Sequence, residues 1–262
     1  MAMVQGARAF VLDVRDYRES SALVRLLVQG EGLVSLVGRG MRSVRKGASA
    51  PVLQPFALVH LSYSLRDPDG LGALRSAEVE RQYDVLRTNI EAYALAGAWF
   101  EILLASAQPG PEGDRLFGLT EGFMNQIQMV GSAVAREPIF VARDASVLWY
   151  WARLLNEMGV GPQFGVCGRC GSKLQLHHFD LRGAETVCAD CAAEHRRYLP
   201  LTGADVRGLQ AVFSRSIPKD RTPLPQRSVL LFLRIVRDVM RRHLEMELKS
   251  FGFLSEVLGG KF

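Results

Sequence analysis

The chain has 262 residues, 48% hydrophobic and 23% charged, which is enough apolar material for packed cores and excludes a disordered or low-complexity polymer. No apolar run approaches the roughly 18 residues that span a bilayer, and the opening MAMVQGARAF lacks a secretory pattern, so a soluble, cytoplasmic protein with no membrane partner is expected. The formal net charge of +5 permits a polyanionic partner, and basic residues gather at the two ends: eight against four acidic in residues 1–50, and eleven against six in residues 201–262.

The first 80 residues read as strands. RAFVLDVR (8–15) alternates, with Phe10, Leu12 and Val14 expected on one face and Val11, Asp13 and Arg15 on the other. SALVRLLV and LVSLVGR are two further β-rich runs, joined by the hairpin turn QGEG (29–32). The segment VGRGMRSVRKG (37–47) follows, with Arg39, Arg42, Arg45 and Lys46, no acid and three glycines. A stretch so basic is a candidate phosphate-contacting loop: its cations would neutralise a polyanion and release counterions. The bland alternative is a solvated loop. VLQPFALVHLSYSL (52–65) and LGALRSAEVE (71–80) flank the turn RDPDG and complete five strands. Five short strands cannot cover both faces of an open sheet, so a small closed barrel is expected, of the oligonucleotide-binding (OB) type or an SH3-like one.

From about residue 82 the period becomes helical. Helices are expected over 83–107, 115–131, 144–160 with Asp144 as N-cap, from 201 to 213 with Thr202 as cap, and over 226–250. The aromatic run Trp149, Tyr150, Trp151 reads as core before it reads as a base-stacking platform. Arg234, Arg237 and Arg241 share one face of the last helix, a solvated face on the plain reading and a second phosphate-contacting surface on the sharper one.

The four cysteines form two pairs, CGRC (Cys167, Cys170) and CADC (Cys188, Cys191), seventeen residues apart. That spacing is a strong signal for a tetrahedral zinc site, and four thiolates leave no position open for water, so one structural Zn2+ per chain is expected. Disulfides are disfavoured in a cytosolic chain. His177, His178 and His195 lie nearby, but the four sulfurs complete the shell without them. The P-loop, H-E-x-x-H and G-x-S-x-G motifs are absent, as is the deaminase signature, so a binding protein and not an enzyme is expected.

The succession Arg15, Tyr17, Glu19, Ser21, Leu23, Val24, then Gly32 after an acidic turn, then Gly38-Arg39-Gly40 with basic residues after it, resembles the RecO family of recombination mediators. The helical remainder with an inserted four-cysteine element is also similar to that family. The fold expected is α+β: an N-terminal five-stranded OB-type barrel (1–81), an all-helical domain (82–164 and 200–250) and an inserted four-cysteine zinc ribbon (165–199). The resemblance implies a protein that binds single- and double-stranded DNA and anneals complementary strands. It further implies partnership with RecR and with the C-terminal tail of single-strand-binding protein, helping to place RecA on single strands, in a cytoplasmic, nucleoid-associated setting. Arg15, Arg18 and Arg25 join the basic loop as candidate DNA contacts. Two other readings stay open from the residues alone: an RNA-binding OB/zinc protein of the translation machinery, and a protein adaptor whose basic loop docks an acidic partner.

Overall fold

The computed structural model describes residues 2–39, 53–65, 70–133, 141–193, 198–219 and 223–260. Arg42, Arg45, Lys46 and His195 lie outside the described residues.

Five strands, β1 (Ala2–Tyr17), β2 (Ser21–Val28), β3 (Gly32–Gly38), β4 (Leu58–Leu65) and β5 (Gly72–Arg81), close into a barrel in the order β1-β2-β3-β5-β4, with β1 also paired to β4. All neighbours are antiparallel except β3 and β5, whose short parallel contact makes the closing seam. This is the expected OB-type topology. A Cβ at Gly72 would lie 2.6 Å from side-chain carbons of both Leu36 and Leu65, so only glycine fits at the seam without movement. The sixteen-residue β1 serves two partners because it is bent by two irregularities, one between Val4 and Ala7, where Gly6 takes φ +65, and one between Val11 and Asp13. The second alters the expected alternation. Ala9 and Val11 fill the barrel and Val14 packs against the same interior, whereas Phe10 faces the other way. The extra residue at the bulge shifts the phase, so Val14 joins Val11 rather than Phe10.

The compact unit that holds the barrel comprises Met1–Asp84 and Trp99–Glu121. Phe10 explains the second segment: its ring lies 6.0 Å from that of Phe100 and 5.3 Å from that of Phe117, and Phe56 meets Phe100 at 4.9 Å. The barrel thus buries apolar side chains on its outside as well as inside. The hairpin turn between β2 and β3 is bound by backbone to residues 108–113: Leu33 N–H donates to Gln108 O (3.0 Å) and Gly110 N–H to Glu31 O (2.8 Å). A Cβ on Gly32 would strike the Gln108 carbonyl, and one on Gly113 would strike the Cα of Gly32.

The helical unit comprises Val85–Ala98 and Gly122–Phe262. The helix expected over 83–107 is two: α1 (Val85–Thr88) and α2 (Ile90–Ser106). Asn89 makes the break, its Oδ1 accepting the Ala92 N–H at 3.0 Å as an N-cap would. α3 (Gly113–Ala133) tolerates Gly122 because the Tyr150 ring lies where a Cβ would be, 2.5 Å away. α4 (Ala145–Glu157) starts at Asp144, whose carboxylate accepts the Ser146 N–H at 2.8 Å. After the cysteine element, α6 (Gly203–Val212) opens on a capping box of Thr202 and Asp205. The last expected helix is also two, α7 (Gln226–Leu244) and α8 (Lys249–Val257). Glu245 turns left-handed at φ 53, and Leu248, Phe251 and Leu254 form a new buried face, Phe251 meeting Trp151 at 5.9 Å. Among the described residues no helix is long and apolar enough to cross a membrane.

Candidate metal centre and nucleic-acid interface

The cysteine element is a small antiparallel sheet, order β7-β6-β8, built from β6 (His178–Asp180), β7 (Glu185–Val187) and β8 (Leu199–Pro200), with the short helix α5 (Ala189–Ala192). The first cysteine pair sits in a tight knuckle. The Cys167 N–H donates to Ser172 O (2.7 Å), and the Gly171 N–H donates to Cys167 O (2.8 Å) with Gly171 at φ +75. The second pair brackets the start of α5, where the Ala192 N–H returns to Cys188 O (3.0 Å). Arg169 ties the first knuckle to the sheet, donating to Asp180 at 2.9 Å and approaching Glu185 at 3.4 Å. The Glu185 carboxylate occupies the space a side chain on Gly168 would need.

All four sulfurs lie within 4.8 Å of one another, and none is in a disulfide. Cys170 and Cys188 Sγ are 3.7 Å apart. A tetrahedral shell with metal–sulfur bonds of about 2.3 Å has edges of about 3.8 Å, so the donors fit a metal ion. Their electrostatics agree. Burial opposes ionisation of Cys167, yet the backbone amides of Cys188, Cys170 and Arg169 bring its thiol down to about 6. Crowding by the Cys170 and Cys188 thiols pushes Cys191 up to about 12. The Cys167 thiolate is favoured while those of Cys170 and Cys191 are penalised, a conflict that a cation at the centre removes. Among the described residues these four are the group arranged to hold a metal, and His177 and His178 are not part of it.

The barrel carries the other candidate site. The three-residue turn Arg18–Ser20 pairs Tyr17 with Ser21, Arg15 with Leu23 and Asp13 with Arg25; β3 then sets Val37 beside Leu23 and Ser35 beside Arg25. Asp13, Arg15, Leu23, Arg25, Ser35 and Val37 thus share the outer face of β1–β2–β3. Asp13 Oδ2 accepts from Arg25 (Nη2 2.8 Å, Nε 3.2 Å) and from Arg15 (Nε 2.7 Å). Arg18 stands at φ 55 with its guanidinium 5.3 Å over the Tyr17 ring. Arg39 is exposed at the end of β3. Sequence reasoning named the arginines and missed Asp13 as their common partner. Counting outward from the turn would have found it, because residues equidistant from a hairpin turn face one another.

The C-terminal arginines are drawn onto acids: Arg234 and Arg237 approach Asp238 (3.9 and 2.9 Å), and Arg241 pairs with Glu247 (3.1 Å). Trp151 is fully buried and meets Phe123 at 6.0 Å. Trp149 is half-buried, its Nε1 donating to Ser214 O (3.0 Å), with Arg153 5.2 Å over its ring.

The family models for the recombination protein O N terminus and C terminus match residues 1–83 and 87–251. The chain belongs to the recombination protein O (RecO) family. Curated RecO relatives span comparable lengths. The DNA repair protein RecO of Geobacter metallireducens is 30% identical over 70% of this chain and 70% of its own. That of Bacillus pumilus is 24% identical over 79% and 76%, and that of an Anaeromyxobacter species 29% over 76% and 75%. The resemblance carried by Arg15, Tyr17 and the residues up to Gly40 is therefore borne out, and the RecO assignment makes this a DNA repair protein.

Proposed function

We propose that the chain is a DNA-binding recombination mediator that acts by binding and not by catalysis. It binds single- and double-stranded DNA and anneals complementary strands. With RecR it helps load RecA onto DNA coated by single-strand-binding protein, whose C-terminal tail it engages, in the cytoplasm and on the nucleoid. The barrel (1–81) is the DNA-binding domain, the helical domain (82–164 and 200–250) serves the protein partners, and the cysteine element (165–199) holds one structural Zn2+. The observation that carries the reading is the outer face of β1–β2–β3 on a closed OB-type barrel, where two arginines share one carboxylate beside half-buried Leu23 and Val37. Arg39, Arg42, Arg45 and Lys46 add a cationic segment directly after β3 in the sequence. Such a surface screens two polyanionic strands without locking their bases away, as annealing requires.

The test is strand annealing and single-stranded DNA anisotropy, measured together across a salt series. Wild type is compared with the quadruple variant Arg39→Ala, Arg42→Ala, Arg45→Ala, Lys46→Ala. The variant is expected to keep its metal and its fold, to anneal poorly and to show a log K against log salt slope shallower by roughly 2–4. A folded variant that binds and anneals like wild type would refute the assignment of these residues.

A further inference from the structure

The barrel unit holds its arginines in two different charge ratios. Arg8 meets two carboxylates, Nη2 donating to Glu80 at 2.9 Å and to Glu121 at 2.7 Å, with its guanidinium 5.4 Å over Phe117. Negative charge exceeds positive there, and Arg8 is fully occupied as a clamp. On the outer face of β1–β2 the ratio is reversed. Arg25 and Arg15 share Asp13 alone among their ion-pair partners in the described residues. The side chains of Arg25 and Asp13 are 25% and 23% exposed, and that of Arg15 is 65% exposed. One net positive charge remains on that patch.

The geometry has a chemical meaning. Arg25 turns both Nε and Nη2 toward one oxygen, Asp13 Oδ2, and Arg15 adds its Nε to the same atom. Two guanidinium groups converging on one anionic oxygen is also how a phosphate is held. A backbone phosphate of DNA would offer the same two guanidinium groups an anionic oxygen of the same kind. Because Arg15 is largely exposed and Asp13 and Arg25 remain partly open to water, the contact can be exchanged for another anion.

We propose that Asp13 is a built-in competitor for phosphate. It keeps Arg25 and Arg15 converged on the outer face and releases them when a DNA phosphate docks. The proposal rests on the reading that this face binds DNA, and it adds a regulation of that site. The resident carboxylate lowers affinity and speeds exchange, which suits a protein that brings strands together and then lets them go. Arg8, held by two carboxylates, has no part in this exchange.

The experiment uses the full chain and a fluorescein-labelled oligo-dT probe, with anisotropy and dissociation rate read across a salt series. Wild type is compared with Asp13→Asn, with the double variant Arg15→Ala, Arg25→Ala, and with Glu80→Gln as a control beside Arg8. Asp13→Asn is expected to bind tighter and dissociate more slowly, with a salt slope steeper by about 0.7, which is about fivefold in affinity at 0.1 M salt relative to 1 M. The arginine double variant binds more weakly, and Glu80→Gln leaves the slope unchanged. Asp13→Ser repeats the test without an amide that could keep the hydrogen bonds, and thermal unfolding shows which variants are folded. If Asp13→Asn and Asp13→Ser bind like wild type or more weakly while the arginine variant loses affinity, the proposal is overturned and the DNA-binding face stands. An equal gain from Glu80→Gln also overturns it, since the effect would then be general charge. If the arginine double variant binds like wild type, the reading of this face falls and the proposal falls with it.

Discussion

Among the described residues, fourteen buried side chains fill the inside of the barrel, from Ala9 and Val11 through Leu26 and Leu36 to Tyr63 and Leu65. The apolar cluster around the four cysteines has five buried members, and two of those are Cys167 and Cys188 themselves. Both are small β structures, yet they are stabilised by different means. The barrel has enough apolar area to fold on hydrophobic burial, and its sheet closes on itself through the short β3–β5 seam. Around the cysteines themselves only Leu176, Val187 and Ala192 are added, while Phe179 of β6 is buried apart from them against Phe164, so on the proposed reading a metal held by the four sulfurs supplies what local burial does not.

The hardest test of that contrast is to remove the metal. Cys167→Ser, or prolonged chelation, is expected to take bound zinc from one equivalent to none by elemental analysis. Structural zinc sites contribute about 10–16 kcal/mol in isolated peptides, so residues 165–199 should lose hydrogen-exchange protection outright while barrel amides keep theirs. If the barrel melts together with the element, the two are not independently stabilised. The reciprocal experiment is Leu26→Ala, which opens a cavity in the fully buried barrel interior. It should lower stability in denaturant by about 2–5 kcal/mol with the metal content unchanged. A smaller loss is expected for Gly72→Ala at the seam, about 1–3 kcal/mol, because Leu36 and Leu65 must move aside; an unchanged midpoint would mean that the seam yields freely.

The smallest effect is expected at Arg8. Its guanidinium, followed by the opposing effect of burial, holds the Glu80 carboxyl below its ordinary value of 4.5. A carboxyl lowered in the folded state contributes stability that is present above its unfolded value and is lost as pH falls through the folded one. Barrel stability should therefore decline on acidification below about pH 4.5, and Arg8→Met should flatten that part of the decline. At neutral pH the change should be within about 1 kcal/mol, since the groups are partly exposed. An acid limb identical in both proteins would show that the Arg8–Glu80 pair does not contribute.

How much of this was legible beforehand depended on whether the signal was local. The cysteine pairs were legible because a metal site states its ligands by type and spacing, and the Asp144 and Thr202 caps because capping is a local hydrogen bond. The β2–β3 hairpin announced itself through Gly30 and Gly32. The β1–β2 turn did not, because its left-handed position is filled by Arg18 instead of glycine or asparagine. Without that turn the register was unknown, and Asp13 could not be matched to Arg25. Glu245 hid the end of α7 in the same way. The bulge between Val11 and Asp13 left no mark in the alternation, since Phe10, Val11, Leu12 and Val14 are all apolar and either phase reads well. Asn89 was legible in principle as a cap, but it lay inside a run whose apolar spacing already looked helical.

The meeting of Gly32 with residues 108–113 has a consequence for how the chain can vary. Two glycines distant in sequence are both held free of side chains there: the Gln108 carbonyl stands where a Gly32 Cβ would go, and the Cα of Gly32 stands where a Gly113 Cβ would go. Each position is therefore expected to stay glycine among relatives that keep residues 108–113 against the turn, and Gly32 doubly so, because its φ of +74 also favours glycine. The matched family models break at residues 83–87, but the barrel does not come apart from the chain there. A shuffled or transplanted barrel would need to carry the stretch from Trp99 to Glu121 with it, or arrive with Phe10 and Phe56 bare.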